Sequence, residues 1–238
     1  MHSNAPNDRN ANRFRPRVEG LEDRTVPAGN VRAVVFDGVL YVAGDDQGNQ
    51  VRITGAGSRA VVVAPLDSTT TVNGQSGPVY LSGIKRDLFI RMHGGDDVLV
   101  VDGTRNRGSL NVGMGDGNDT LTVNAAGQRG ATVITTGSGD DTVNLSNFAA
   151  RRYVSVETGT GTDAVTAQNV RARDFGLLAA PGGQTFFSSQ NTVFERPAMT
   201  NVTMGAKPPV SPPATDGPPS SPPARPPPTP PAPPPATA

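Results

Sequence analysis

The chain reads as an all-β fold: a right-handed parallel β-solenoid, β-helix-like or β-roll-like, with 22-residue coils and disordered termini. Three observations predict it. Between Met92 and Ala167 a glycine-aspartate phrase returns four times, as HGGDDVLV, GDGNDTLTV, GSGDDTVNL and GTGTDAVTA. The aspartate before each apolar run, Asp97, Asp119, Asp141 and Asp163, recurs every 22 residues. Inside each period apolar residues stand two apart, which is the repeat of a strand. The composition agrees: Leu is scarce relative to Val and Thr, Trp and Cys are absent, and no long helical pattern occurs.

Taken in order, residues 1–29 are polar and rich in Asn, Arg and Pro, a disordered leader. The solenoid is placed at residues 30–200. It opens on VRAVVFDGVLYVAG, where Asp37-Gly38 is a hairpin turn signal. Leu40, Val42, Val51 and Ile53 then flank Gly44, Asp45, Asp46 and Asn49, a coil that echoes the later phrase without its glycine spacing. Val61–Val63, Thr70–Val72, Val79–Leu81 and Leu88–Ile90 continue the rhythm less regularly. In the repeats at 92–167, Leu99 and Val101, Leu121 and Val123, and Val143 and Leu145 follow the phrase. Leu110 with Val112, Val133 with Ile134, and Val154 with Val156 precede it. Each period is therefore strand, Gly-Asp turn, strand, turn, and a unit this small buries its apolar face only by stacking. Phe186, Phe187, Val193 and Phe194 supply an atypical end coil that covers the open core. Residues 201–238 form a Pro-rich disordered tail, whose proline density favours extended polyproline II.

Stacking sets the chemistry. In register, the four anchor aspartates form a column along one edge with neighbours about 5 Å apart. At that distance like charges repel by about 1 kcal/mol in water and about 3 kcal/mol at an effective dielectric near 20. Raised carboxylate pKa values or solvent exposure relieve this in part. A hard divalent cation relieves it best, since calcium takes six to eight oxygens from carboxylates and backbone carbonyls.

The phrases resemble the RTX nonapeptide G-G-x-G-x-D-x-U-x of calcium-binding β-rolls. Gly115, Gly117, Asp119 and Leu121 match its second glycine, third glycine, aspartate and apolar positions. Gly137, Gly139, Asp141 and Val143 do so again, as do Gly159, Gly161, Asp163 and Val165. In the first copy His93 stands at the second glycine, while Gly95, Asp97 and Leu99 fill the other places. The resemblance implies calcium as cofactor. Its ligands would be the carboxylates of Asp97, Asp119, Asp141 and Asp163 and the loop carbonyls of Gly95, Gly117, Gly139 and Gly161, joined by Asp96, Asp116 and Asp140. The chain departs from the family in three ways, the first being a period longer than the two nonapeptides per coil of the family's roll. Met92, Met114, Thr136 and Thr158 replace the first glycine, and only one turn per coil carries the phrase, so ions are expected along a single edge. The leader segment with Leu21, Glu22, Asp23, Arg24 and Pro27 resembles the LEDR/LEPR-type leader of planctomycete surface and secreted proteins, which implies export.

Several classes are excluded. Net charge is zero, which points away from nucleic acid, and no apolar run approaches a membrane span. Without cysteine there is no disulfide framework. His93 is the only histidine in the folded region, so a Ser-His-Asp triad would hang on one turn residue, and no catalytic site is assigned. Gly113–Gly117 leads into a strand, which excludes a dinucleotide loop. The expectation is a non-enzymatic, exported calcium-binding protein, extracellular or at the cell surface, whose partners beyond calcium are a surface polysaccharide or protein. Two alternatives stand beside it: a polysaccharide lyase of the β-helix kind, using the pair Arg151 and Arg152 near Glu157, and a spacer that binds no ion.

Overall fold

In the computed structural model, which describes residues 29–207, the chain is all-β and winds into parallel stacked coils of about five turns. The leader motif and the proline-rich residues from 208 onward lie outside the described residues.

The chain enters through β1 (Gly29–Phe36) and β2 (Val39–Ala43), an antiparallel hairpin closed at Asp37-Gly38, where both residues have positive φ (46° and 73°). These angles make the right-twisted two-residue turn that an Asp-Gly pair favours. β3 (Gln50–Gly55), β4 (Ala60–Pro65), β5 (Thr70–Val72) and β6 (Val79–Ser82) follow. The regular part then runs through β7 (Leu88–Gly94), β8 (Val98–Asp102) and β9 (Arg105–Asn106), then β10 (Leu110–Asp116), β11 (Thr120–Asn124) and β12 (Gly127–Gln128). It continues with β13 (Thr132–Ser138), β14 (Thr142–Ser146), β15 (Ala149–Gly159), β16 (Thr162–Gln168), β17 (Arg171–Ala179), β18 (Gln184–Gln190), β19 (Val193–Thr200) and β20 (Val202–Met204). Each coil has three sides: a long strand, the Gly-Asp turn, a five-to-seven-residue strand, then a short third segment that leads into the next coil.

From β7 to β15 the coils stack in register, and a bulge in β15 shifts its pairing with β17 by one residue. Leu110 pairs with Leu88 and Thr132, and Leu121 with Leu99 and Val143. The interior is thereby built of columns of like position. Ile90, Val112, Ile134, Val156 and Leu177 form one, and Leu99, Leu121, Val143, Val165 and Phe187 another, every member nearly or wholly buried. In β13 Thr132 and Ile134 point inward while Val133 is half-buried on the outer side, so the apolar pair Val133-Ile134 straddles the strand.

Within the solenoid expected over residues 30–200, the start is spaced differently from the rest. β2 and β3 belong to a first coil, since Leu40 pairs with Leu88 and Gln50 with Val98. The offset is 48 residues rather than 22, because residues 55–87 stand where the next coil has only the seven residues 103–109. With β1 they form a cap: β4 runs antiparallel to β3, β6 antiparallel to β4, and β5 sits on β1. A solenoid end presents a row of unpaired backbone groups, and crossing it with antiparallel strands covers them. At the other end, β20 extends the strand region to Met204, past the expected start of the tail at residue 201. Of the residues expected in the end coil, Phe187 and Phe194 stack on Phe175, whereas Val193 is exposed. Phe175, Phe187 and Phe194 stack, with ring centroids 5.5 Å apart for Phe175–Phe187 and 4.2 Å for Phe175–Phe194, while Phe186 is only half-buried.

A second turn column went unread in the sequence. Gly103, Ala125, Asn147, Asn169 and Asn191, one per coil, all have φ between 49° and 61°. Asparagine tolerates this left-handed conformation and links the coils, the Asn169 amide donating to the Asn147 side-chain oxygen at 3.0 Å. Alanine does neither. Ala125→Gly is therefore expected to raise the unfolding free energy by about 1 kcal/mol; an unchanged or lower urea midpoint would show that Ala125 is not strained.

Candidate functional site

The four anchor aspartates do form a column, but it faces inward. Asp97, Asp141 and Asp163 are fully buried and Asp119 is 1 % exposed. Within each coil the turn reverses the strand's alternation. Asp96, Asn118 and Asp140 face solvent, and the next residue along, Asp97, Asp119 or Asp141, turns into the interior. Solvent exposure therefore does not relieve the repulsion within the column.

Backbone donors relieve part of it. The N–H of each column residue donates to the Oδ1 of the next: Asn49 to Asp97 (2.7 Å), Asp97 to Asp119 (2.9 Å), Asp119 to Asp141 (2.9 Å) and Asp141 to Asp163 (3.1 Å). Asn49 thus heads the column, within the coil whose Gly44, Asp45, Asp46 and Asn49 echo the later phrase. Its side chain and the backbone N–H groups of Asn30 and Gln47 hold Asp45. The other oxygens differ. Oδ2 of Asp97, Asp119 and Asp141 is buried with no hydrogen-bond partner among the described residues, whereas Thr185 closes the column with its hydroxyl 3.5 Å from Asp163 Oδ2.

Burial raises all four carboxyl groups above the ordinary value of 3.8, with neighbouring aspartates adding to the effect and the N–H donors opposing it. Asp97 and Asp119 are pushed up to about 7 and Asp141 to about 6. Asp141 and Asp163 have side-chain donors that Asp97 and Asp119 lack. Five residues before Asp97 and Asp119 stand the buried Met92 and Met114, thioethers with no proton to give. Five before Asp141 and Asp163 stand Thr136 and Thr158, whose hydroxyls lower those two. In the structure the Thr136 hydroxyl, close to Asp141, donates to the Thr158 carbonyl (2.9 Å). These threonines, read from the sequence only as departures from a motif, belong to the site.

The outer residues form a second ladder. Asp96 Oδ1 accepts the Asn118 N–H (2.8 Å), Asn118 Oδ1 accepts the Asp140 N–H (2.8 Å), and Asp140 Oδ1 accepts the Thr162 N–H (2.8 Å). Asp116 accepts the Ser138 hydroxyl (2.6 Å), and Lys207 lies 3.7 Å from Asp140. Asp96, Asp116 and Asp140 are thus tied along the surface, separate from the inner column. Among the described residues no three acidic or histidine side chains converge as a metal cluster.

The glycines are needed for stacking. Carbonyl oxygens of Gly95, Gly117 and Gly139 lie against the Cα of Gly117, Gly139 and Gly161 in the next coil, and the Gly161 carbonyl accepts the Gln184 N–H (2.7 Å). His93 occupies the glycine position of the first copy, paired with Gly115, and takes φ +79° there. It lines an open groove of about 370 Å³ with Arg91, Asp116 and Thr135, and among the described residues its ring makes no hydrogen bond. Arg151 and Arg152 lie near the start of β15 and the Gly-Asp turn follows its far end, so the structure does not bring that pair to the column.

No family model matches the chain, and no curated protein or solved structure is significantly similar to it.

Proposed function

We propose that this protein is an exported, non-enzymatic calcium-binding repeat protein with a structural or adhesive role at the cell surface. The observation that carries the reading is the row of buried Oδ2 atoms on Asp97, Asp119 and Asp141, one per coil and each without a partner among the described residues. A buried, unpaired carboxylate oxygen is costly, and repeating the cost in three successive coils calls for a counter-charge. The donors are hard oxygens, which suits calcium rather than a softer metal. Asp97, Asp119, Asp141 and Asp163 would hold the ions, with turn carbonyls completing the coordination. Bound calcium would supply positive charge to the column and so couple ion binding to the stability of the coils. Export is supported by the leader's resemblance alone.

A second reading is favoured by the raised carboxyl groups: the column is neutralised by protons, and the solenoid is a spacer that binds no ion. Thermal melts of the full chain at pH 7.5, from excess chelator to about 10 mM calcium, separate the two. The calcium reading expects the melting temperature to climb with calcium and not with magnesium. It also expects the climb to be lost when Asp119 and Asp141 are both changed to Asn. Identical melts in calcium and chelator would leave the spacer.

A further inference from the structure

The chain's net charge of zero conceals a segregation. Positions 107, 129, 151 and 173 are all arginine, 22 residues apart, and Lys85 stands one period earlier. Each follows a residue of the short third segment, and that segment is in register: Asn106 pairs with Gln128, Gln128 with Ala150, and Ala150 with Ala172. Arg107, Arg129, Arg151 and Arg173 therefore form a row along one corner of the coils, at about 4.8 Å per coil. Arg105 and Arg171 sit two residues before row members, and a bulge in β15 brings Arg152 to the same corner. All are exposed, and none has a carboxylate within salt-bridge distance among the described residues, whose ion pairs involve Arg52, Arg86, Arg196 and Lys207.

The row also borders a depression. Arg105, Arg107, Arg129 and Arg151 line a shallow groove of about 350 Å³, and Arg107 with Ser58 continues into a second of about 360 Å³ bounded by Arg59 and Lys85. The two share residues and run across successive coils. An uncompensated cationic groove raises the local concentration of anions, and guanidinium forks pair in two-pronged fashion with carboxylate or sulfate. Among the described residues no Phe, Tyr or Trp lines either groove, so they supply no stacking platform of the kind that single-stranded nucleic acid uses. We propose that this corner binds a linear acidic polysaccharide along the solenoid axis, its carboxylate or sulfate groups paired with the arginine row. The site stands apart from the aspartate column and does not depend on calcium.

Binding of the full chain to polygalacturonate, dextran sulfate, neutral dextran and a single-stranded DNA oligomer, measured by calorimetry in chelator at 50 and 200 mM salt, tests it. Both acidic glycans are expected to bind and neutral dextran not to. Changing Arg129 and Arg151 together to Gln should weaken binding at least ten-fold and flatten its salt dependence, while changing Arg52 and Arg91 to Gln, equal in charge but on other faces, leaves it within two-fold. Equal weakening by the two double variants would reduce the effect to bulk charge and overturn the site. Tighter binding of DNA than of either glycan would overturn the class of partner, and no binding at 50 mM salt would overturn both. Far-UV circular dichroism of each variant identifies any loss that comes from misfolding.

Discussion

Gly139→Ala is expected to destabilise the protein by about 3–5 kcal/mol, enough to unfold the middle coils under mild conditions. Two costs combine. Gly139 has φ +124°, which an L side chain rarely adopts, and an added Cβ would penetrate the Gly117 carbonyl of the preceding coil, 2.6 Å from its carbon. Neither can relax, because Gly117 is itself held between Gly95 and Gly139 by the same contact, and the Gly139 N–H is bonded to the Thr160 carbonyl (2.9 Å). Gly127 is the matched control. It lies in the same stack with no heavy atom within 4 Å of the added Cβ, so Gly127→Ala should change stability by no more than about 0.5 kcal/mol. Urea unfolding of the two variants decides the matter. A Gly139→Ala midpoint close to that of the parent would mean that the coils are not packed as tightly as described.

In chelator, the protein is expected to lose stability as pH rises from about 4 to about 8. The sign follows from the direction of the shifts. Asp97, Asp119 and Asp141 titrate above their ordinary value in the folded state, so across that window the folded protein binds more protons than the unfolded chain. Stability from this source is complete below the ordinary 3.8 and is lost as pH climbs through about 6 to 7. A shift to about 7 at one site corresponds to roughly 4 kcal/mol, and coupling along the column makes the total less than three times that. For a domain of this size roughly 4 kcal/mol is about 10 °C in melting temperature.

Asp119→Asn isolates the cause, because the column already contains an asparagine. Asn49 is fully buried there and donates its N–H to Asp97 as the aspartates do to one another. The variant should melt higher than the parent in chelator at pH 8, show a flatter pH profile, and gain less from calcium. A parent protein that becomes more stable with rising pH in chelator would show that the carboxylates are held as anions without help from a metal ion.

Much of the architecture was legible before any coordinates. The 22-residue recurrence of Asp97, Asp119, Asp141 and Asp163 fixes the coil length, and Leu99/Val101 with its successors marks the strands, because stacked coils must repeat their inward positions. Asp37-Gly38 announced its hairpin, and Gly44, Asp45, Asp46 and Asn49 marked an earlier, degenerate coil, although not which of them heads the column. The αL column at Asn147, Asn169 and Asn191 and the arginine row at 107, 129, 151 and 173 carry the same period. They were hidden only because they lie outside the glycine phrase.

What the sequence alone determined, then, is the period, the strands and the vertical alignment of the aspartates, all of which follow from repetition. Only the tertiary structure decided which way the aspartates face. Strand alternation assigns inside and outside every second residue, but a glycine turn with positive φ resets the phase. Whether Asp96 or Asp97 points inward therefore depends on backbone angles that the letters do not specify. The antiparallel cap built from residues 55–87 was likewise decided in three dimensions, since it exists to cover the edge of a stack that forms elsewhere in the chain.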